Sequence, residues 1–451
     1  MKYWRSLVSF LGFTFRFLEF AVRIRFIHRK QYWNLIQIYR LLIDREFTKH
    51  LGRLLSRVEE IEKIKMKSNE AYWLSEHNNY LNLRKSIWAK DRELNLAPNK
   101  TTYIVGTEIT SSLGHLGHFA DRCKAQILGL DLRKYVIVGN DFANPWFVKE
   151  YLGLYVPIIT TTKVTRNMIE IEAYENLDEI CLGFVGDRAM QFAKAHNEIE
   201  LEWKKQFDKQ PLFSLSGEDE KHLKEYLSSK GLNEESWYVT LHLRDANYEE
   251  FRNSGNFNSY IEAVDRIISK GGWVIRVGSQ ETPPFPYNHA RFIDYSNGGE
   301  RTDRLDICLL AKCRFHFGTS SGVSEIPPLF GRGVLRINAS RLGSNWIKWK
   351  SIEVPKILIN RDSGTSEEMF SQHLSYGWLD VDHAPITRPE LCLREATSDE
   401  ILAGVEEMLS LDYVQTTTEQ KNIELSLSEH GIYPSTTVSR YFADKHRTYF
   451  S

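Results

Sequence analysis

Two hydrophobic periods alternate between Trp237 and Asn338, and this alternation limits the possible folds more than any other feature of the sequence. The blocks Trp237–Arg244 and Trp273–Gly278 are short, apolar and rich in β-branched or aromatic residues, as buried parallel strands are. Between them, residues 259–271 repeat apolar side chains at a spacing typical of an amphipathic helix. We expect Ser259 and Glu262 to cap this helix and the glycine pair 271–272 to end it.

The alternation continues through the rest of the segment. Further strands are predicted at Arg291–Tyr295, Arg314–Gly318 and Val334–Asn338, with a helix at Thr302–Ala311 between the first two. Strands and helices that alternate in this way form βα units, and a run of such units builds half of a doubly wound α/β protein.

Polar segments follow two of these strands. Arg244 closes the strand that contains His242, and the turn Gly318–Gly322 (Gly-Thr-Ser-Ser-Gly) precedes a helix predicted to begin near Val323. Ligands in open α/β sheets bind at the carboxyl ends of strands. Such a turn offers backbone N–H groups, hydroxyls and a positive helix terminus to an anion, and a guanidinium can clamp a diphosphate. The pattern predicts a pyrophosphate site, the alternative being a structural Arg244 paired with Asp245 or Asp294.

The segment from Tyr238 to Asn338 resembles a bacterial family of glycosyltransferases of surface-polysaccharide synthesis, such as that of O-antigen, and more distantly the fucosyltransferase-like GT-B enzymes. The resemblance lies in His242-Leu243-Arg244 and in the segment from Asp306 to Gly322. It implies that Arg244 contacts the donor phosphates. The relatives usually have an acidic residue three places after this arginine, where this chain has Asn247, so their sugar specificity is not transferred. The donor-binding residues expected are Arg244, His242, Asn247, Gly318, Thr319, Ser320, Ser321 and Gly322.

The resemblance also implies the GT-B architecture, in which two Rossmann-like doubly wound domains face a cleft. The N-terminal half then binds the acceptor and the C-terminal half binds the nucleotide sugar. The expected boundaries are 1–98 for a basic helical arm, 99–212 for the acceptor domain, 213–375 for the nucleotide-sugar domain and 376–451 for a tail that packs back.

A catalytic base is expected on the loop that follows the predicted strand at residues 103–106. This loop enters a helix through Gly114-His115-Leu116, similar to the acceptor loop of GT-B enzymes. Inverting transfer needs a base to deprotonate the acceptor hydroxyl. The candidates are Glu108, His115 and His118, with His115 preferred because it stands at the predicted helix entrance. For each one, a capping or packing role fits the sequence equally well.

The amino-terminal region is basic, although the net charge of the whole chain is −1. Residues 1–60 contain twelve Lys and Arg against five Asp and Glu. The uncharged run 6–15 is too short to span a bilayer, and the absence of a cleavage site argues against a secretory signal. Residues 1–40 interleave aromatic side chains with cations, as helices in the headgroup plane do. We expect a cytoplasmic protein, peripheral on the inner face of the membrane, or else a helix packed on the catalytic body.

Other chemistries have little support in the sequence. Asp380-Val381-Asp382 matches the three-residue pattern of metal-dependent transferases, but such a short match occurs by chance. Glycine-rich signatures of nucleotide hydrolases and dinucleotide enzymes are missing from the sequence. The five cysteines have neither zinc nor disulfide spacing and are expected to be reduced and buried. We therefore expect no metal site, no obligatory cofactor and no nucleic-acid partner.

Together these features predict a glycosyltransferase that moves a sugar from a nucleotide-diphosphate donor to a glycan or lipid-linked glycan acceptor. Arg244 and the Gly318–Gly322 turn would neutralise the leaving diphosphate. One alternative is a non-catalytic α/β module that binds glycans or a partner at the membrane surface. Another is a nucleotide-sugar epimerase or hydrolase, which shares the donor site but needs no acceptor.

Overall fold

The structure is a computed structural model of the 451-residue chain. It describes residues 102–105, 110–130, 134–139, 141–160, 182–185, 188–208, 210–244, 253–339, 351–364, 390–410, 416–429 and 437–447. The chain forms two compact units, one of Met1–Asn78 with Ala173–Leu182 and the other of Asn79–Glu172 with Gly183–Ser451. All described residues except Leu182 belong to the second unit. The predicted arm at 1–98 and its membrane-surface helix lie outside the described residues, and the predicted domain boundaries stay predictions.

The described part of the chain alternates strands with helices. Its strands are β1 (Thr102–Val105), β2 (Lys134–Val138), β3 (Ile158–Ile159), β4 (Leu182–Val185), β5 (Arg188–Gln191), β6 (Tyr238–His242), β7 (Trp273–Arg276), β8 (Phe292–Ile293), β9 (Phe315–Thr319), β10 (Gly333–Ala339), β11 (Ser351–Pro355), β12 (Ile357–Asn360), β13 (Leu391–Arg394) and β14 (Thr437–Val438). Its α-helices are α1 (Leu113–Ile127), α2 (Pro145–Glu150), α3 (Phe192–Phe207), α4 (Gly217–Ser229), α5 (Ile261–Ser269), α6 (Asp303–Lys312), α7 (Ser398–Ser410), α8 (Thr418–Glu429) and α9 (Arg440–Lys445).

A seven-stranded sheet with the order β14-β11-β10-β9-β6-β7-β8 is the largest sheet described. Each of its strand pairs is parallel. From β6 the chain runs outward to β7 and β8, then returns to pair β9 with the other side of β6 and continues to β10 and β11. This is the doubly wound order expected from the alternating periods of the sequence, and its direction reverses between β6 and β9.

Apolar side chains cover both faces of this sheet. On β6, Tyr238 belongs to one buried cluster, while Val239 and Leu241 belong to a second. The first cluster includes side chains of α1 and α6, and the second includes side chains of α5 and α7. Each fully buried Val or Leu contributes about 1.5–3 kcal/mol to folding. Helices on both faces explain why the strands read as continuous apolar runs in the sequence.

A smaller parallel sheet, β1-β2-β3, precedes the large one. The sequence predicted its first two strands from the runs at residues 103–106 and 135–139, and the helix after β1 is α1, as expected. Within the described residues, no helix is both long and apolar enough to cross a membrane.

Helix α6 begins next to Thr302, where its pattern predicted, whereas the cap predicted for α5 is wrong. Thr302 caps α6 by accepting the N–H of Leu305, and Ser216 caps α4 by accepting the N–H of Asp219. The capping box at Ser259 is wrong, because residues 257–260 form a 3₁₀ turn that leads directly into α5. The side chain of Asn256 caps that turn instead, accepting the N–H of Asn258.

Cys123, Cys308 and Cys313 are buried, as expected for structural thiols, whereas Cys392 on β13 is only partly buried, which differs from the expectation. Burial raises the pKa of Cys123 and of Cys308 to about 12, which keeps both thiols protonated and unreactive. Cys181 lies outside the described residues.

Candidate functional site

The predicted phosphate-binding segments lie side by side at the reversal point of the large sheet. His242 of β6 is in register with Gly318 of β9, so the two strands end together. Arg244 follows the first strand, and Ser320 follows the second. A crevice forms beyond the carboxyl ends of two strands whose connections run in opposite directions, and ligands of doubly wound sheets bind there.

A serine that the sequence analysis did not identify joins these two segments. The backbone N–H of Arg244 donates to Ser254 Oγ at 2.6 Å, and the N–H of Ser254 donates back to the carbonyl oxygen of Arg244 at 3.3 Å. Ser254 Oγ is also hydrogen-bonded to Thr319 Oγ1. Ser254 is 1% exposed and Thr319 is fully buried. The end of β6 and the end of β9 are therefore connected through one hydroxyl group.

The carbonyl oxygen of Ser254 extends the connection to β10. It accepts hydrogen bonds from Tyr260 Oη at 3.1 Å and from Asn338 Nδ2 at 3.0 Å. Asn338 has a φ of +56°, a left-handed conformation that asparagine tolerates better than most residues. Its Oδ1 accepts the N–H of Ala396 at 2.7 Å, so the side chain holds two backbone segments at once.

The neighbouring Asn253 extends the connection to the end of β11. Asn253 Oδ1 accepts a hydrogen bond from Lys356 Nζ at 3.0 Å, and Lys356 is fully buried. Gly255 has a φ of +67°, and a Cβ atom there would overlap the carboxylate of Glu395. Glycine is required at this position because the backbone is left-handed and a neighbouring side chain fills the space.

The alternative of a structural Arg244 paired with Asp294 finds no support. Arg276 Nη1 donates to both oxygens of Asp294, at 2.9 and 2.8 Å. The guanidinium of Arg276 is almost fully buried, which makes this ion pair a structural one. Asp245, the other alternative, lies outside the described residues.

His242 of β6 and Gly318 of β9 are paired neighbours on adjacent strands. His242 Nδ1 is 3.1 Å from the carbonyl oxygen of Val277, and burial lowers the pKa of His242 to about 4. The imidazole is therefore neutral at pH 7, and it is a buried, hydrogen-bonded side chain of the sheet. A Cβ atom on Gly318 would overlap the carbonyl oxygen of His242, so the Gly318–Gly322 turn begins where two strands approach closely.

The segment that follows Ser321 does not form the expected helix. Residues 322–325 form a single 3₁₀ turn, and a second 3₁₀ turn follows at Pro327–Phe330. Ser324 Oγ donates to the carbonyl oxygen of Ser321 at 2.5 Å and holds the turn closed. The helix predicted near Val323 is wrong, because the prolines at 327 and 328 interrupt an α-helix. The macrodipole expected there is correspondingly small.

The beginning of α1 packs against this same turn. A Cβ atom on Gly114 would lie 2.9 Å from Cα of Gly322, and one on Gly117 would lie 2.7 Å from Cβ of Glu325. Glycines at both positions let the helix approach the turn at backbone distance. The predicted acceptor loop and the predicted donor turn are thus in contact where α1 begins.

The candidate bases on α1 differ in exposure. His115 is exposed, next to the Gly114–Gly322 contact. His118 is partly buried, with Nδ1 at 3.9 Å from Glu325 Oε2, and the other oxygen of Glu325 accepts Arg336 Nη2 at 2.5 Å. Glu108 and Asn247 lie outside the described residues, as does Asp380-Val381-Asp382.

The residues that sequence reasoning missed come from separate parts of the chain. Their local sequence contains no motif, because they contribute to the site through hydrogen bonds and ion pairs to other parts of the chain. A detectable signal existed only at Asn338, the polar residue near the end of a predicted strand. The missed residues are Asn253, Ser254, Tyr260, Glu325, Arg336, Asn338 and Lys356.

Titratable side chains that could hold a metal do not cluster in the described ranges: no three of His, Cys, Asp or Glu come together there.

Comparisons with known proteins give only distant similarities. No protein-family model and no curated protein matches the sequence. A glycosyl transferase family 9 protein from Veillonella parvula is 11% identical, covers 68% of this chain and 97% of its own, and has a TM-score of 0.41. ADP-heptose LPS heptosyltransferase II from E. coli is 12% identical, with coverages of 70% and 100% and a TM-score of 0.43.

The iron-containing dodecameric glycosyltransferase TibC from enterotoxigenic E. coli is 14% identical to this chain. Its match covers 56% of this chain and 62% of TibC, with a TM-score of 0.33. Similarities of this size do not assign an activity, so the functional conclusion depends on the residues of this chain.

Proposed function

We propose that this chain is a glycosyltransferase of GT-B type that uses a nucleotide-diphosphate sugar as donor. The observation that carries the proposal is the meeting of Arg244 with the Gly318–Gly322 turn where the strand order reverses. Doubly wound sheets bind nucleotides at this place, and both segments offer groups that suit phosphate. The strand order is a property of the fold and not of either motif, so it supports the proposal separately.

The chemistry assigned to the site follows from the charge that develops during transfer. The bond between the sugar C1 and the diphosphate oxygen breaks, and the electron pair leaves with the diphosphate. Arg244 offers a guanidinium to the departing oxygens, and the turn offers backbone N–H groups and the hydroxyl of Ser320. Preorganised donors of this kind stabilise the transition state without moving during the reaction.

The acceptor hydroxyl attacks C1 and gives its proton to a base. The base is assigned to the region at the start of α1, which contacts the donor turn, with His115, His118 and Glu108 as candidates. We assign no obligatory metal, because the guanidinium supplies the positive charge that a cation provides elsewhere. The acceptor is a glycan or lipid-linked glycan of bacterial surface-polysaccharide synthesis, reached at the inner face of the membrane through the basic residues 1–40.

The test follows both halves of the reaction. Sugar-labelled UDP, GDP, ADP and dTDP donors are incubated with the full chain and with soluble or lipid-linked glycan fractions, and nucleotide release and acceptor labelling are both measured. Wild-type protein should label an acceptor fraction, and Arg244→Ala should reduce turnover at least about a hundredfold, a loss typical of removing one transition-state donor. Arg244→Ala with near-normal turnover would contradict the assigned role.

The other classes give different results in this assay. Release of nucleotide without labelled acceptor would indicate a hydrolase, and interconversion of the sugar on its nucleotide would indicate an epimerase. Neither release nor labelling, with intact folding, would favour the non-catalytic binding module.

A further inference from the structure

Ser254 lies at the centre of a buried group of polar side chains at the reversal point, which we call the Ser254 junction. The junction joins the carboxyl ends of four neighbouring strands, β6, β9, β10 and β11. Its side chains are almost fully buried, from none to 7% exposed. The members of the Ser254 junction are Asn253, Ser254, Tyr260, Thr319, Asn338 and Lys356.

The Ser254 hydroxyl is hydrogen-bonded to two neighbours. It accepts the backbone N–H of Arg244 at 2.6 Å and is hydrogen-bonded to the hydroxyl of Thr319. One hydroxyl has one proton to donate and two lone pairs, so these two partners leave little capacity for a ligand. Thr319 is fully buried and directs its own hydroxyl at Ser254, so it is not placed to contact a nucleotide directly.

The bonds around Arg244 involve its main chain on both sides. Its N–H and its carbonyl oxygen both bond to Ser254, so the backbone of Arg244 is held on both sides by one residue. Ser254 is in turn fixed from the opposite direction by Tyr260 and Asn338. The point from which the side chain of Arg244 extends is therefore set by the junction.

We propose that Thr319 and Ser254 are positioning residues of the donor site, which act on the diphosphate only through Arg244. This inference rests on the proposed function, because it assumes that Arg244 binds the donor diphosphate. It replaces direct contact by Thr319, which the sequence motif implied, with an indirect role. Loss of either hydroxyl frees the backbone of Arg244 from the junction. Diphosphate binding is then weaker, although every group that touches the ligand is still present.

The chain offers a matched control for Thr319. Thr240 is also fully buried, lies on the adjacent strand β6, and has its hydroxyl 3.0 Å from His316 Nδ1. It takes no part in the Ser254 junction. Thr319→Val and Thr240→Val each replace a buried, hydrogen-bonded hydroxyl with a methyl group in the same sheet. An effect seen only for Thr319→Val is therefore due to loss of its bond to Ser254 and not to loss of a buried hydroxyl in general.

The experiment is a double-mutant cycle on the full chain. Dissociation constants are measured calorimetrically for UDP, GDP, ADP, CDP and dTDP with wild-type protein, and the tightest of them is then used with each variant. Thr319→Val should weaken its binding about tenfold, whereas Thr319→Ser should bind nearly as wild type, because it keeps the hydroxyl. Thr240→Val should also bind as wild type. Thermal melts establish that each variant is folded.

The decisive comparison is made in the absence of the arginine. In an Arg244→Ala background, Thr319→Val should cause no further loss, because its effect passes through Arg244. Ser254→Ala should behave like Thr319→Val in both backgrounds and serves as the second variant if Thr319→Val does not fold. Losses that add in the double variant, or Thr319→Val binding as wild type, would overturn the positioning role.

Failure of the proposed function has a separate signature. Wild-type protein that binds none of the five nucleotides, or binds one equally well after Arg244→Ala, would overturn the proposed donor site and this inference with it. Nucleotide binding that depends on Arg244 but not on Thr319 or Ser254 would overturn only the positioning inference.

Discussion

Gly318 shows how one residue determines the geometry of the candidate site. It has a φ of +139°, and a Cβ atom there would overlap the carbonyl oxygen of His242 on the adjacent strand. Only glycine combines this backbone conformation with this strand spacing. The residue motif that suggested a phosphate-binding turn is therefore also a structural requirement of the β6–β9 pair.

Replacement of Gly318 tests this requirement. We expect Gly318→Ala to destabilise the protein by about 3 kcal/mol, from steric overlap together with the unfavourable backbone conformation. Gly299→Ala is the control, since Gly299 also has a positive φ of +74° but no atom lies within 4 Å of its added Cβ. That control should cost about 1 kcal/mol. Urea denaturation of both variants measures the difference, and equal losses would contradict the steric account.

The role of the residues in the Ser254 junction could not be predicted from the sequence. Arg244 and the Gly318–Gly322 turn were found because each follows a strand with a recognisable apolar pattern. Ser254 and Lys356 follow no such pattern, and their importance depends on hydrogen bonds to residues 65 and 103 positions away, respectively. A single sequence contains no periodic signal for contacts of this kind.

At the scale of elements, the hydrophobic periods were sufficient for most strands and helices. The strands at β6, β7, β9 and β10 and the helices α4 and α6 lie where their patterns predicted them. The two errors occurred where a short 3₁₀ turn replaced the expected α-helical geometry, before α5 and after β9. Such turns span too few residues to show a helical period, so local sequence alone could not distinguish them.

Glu400 connects three elements at the end of the described chain. It is fully buried at the start of α7 and accepts hydrogen bonds from Arg394 of β13 and from the backbone N–H of Thr397. His446 Nε2 lies 2.6 Å and Lys445 Nζ 3.2 Å from its Oε1. Burial alone would raise the pKa of Glu400, but hydrogen bonds from His446 and Arg394 outweigh it and hold the pKa well below its usual value.

A pH-dependent stability follows from this depressed pKa. The contribution of Glu400 is present above the pKa of glutamate in the unfolded chain and is lost progressively as the pH falls below it. Glu400→Gln should cost about 2 kcal/mol at pH 7, less than a fully buried pair because the cations are partly exposed. Urea denaturation should show this gap narrowing between about pH 5 and pH 3. A gap that widens on acidification would contradict the assignment.

At the scale of the whole molecule, the strand order β8-β7-β6-β9-β10-β11 places the candidate site where the direction of the sheet reverses. The sequence predicted alternating βα units but could not give the side of β6 on which β9 pairs. That pairing depends on long-range packing of helices on both faces of the sheet. This pairing places the ends of β6 and β9 side by side, and with them Arg244 and the Gly318–Gly322 turn.

The contact between α1 and the donor turn is a second consequence of long-range packing. Gly114 meets Gly322 and Gly117 meets Glu325, although these pairs are more than 200 residues apart in sequence. The predicted acceptor loop, which contains these glycines, is similar to the acceptor loops of GT-B enzymes. Their position in the structure supplies a physical reason for them, since side chains there would separate the helix from the turn.

Nucleotide-dependent thermal stabilisation of the full chain tests the central claim most directly. The melting temperature is measured with UDP, GDP, ADP, CMP and dTDP, with and without magnesium, for wild-type protein and for Arg244→Ala. A nucleotide at a hundredfold excess over its Kd stabilises the folded state by about 2.7 kcal/mol, enough for a measurable shift. We predict a shift for one nucleotide diphosphate that is independent of magnesium and is much smaller in Arg244→Ala. No shift with any nucleotide, or an equal shift in the variant, would contradict a donor site at the reversal of the sheet.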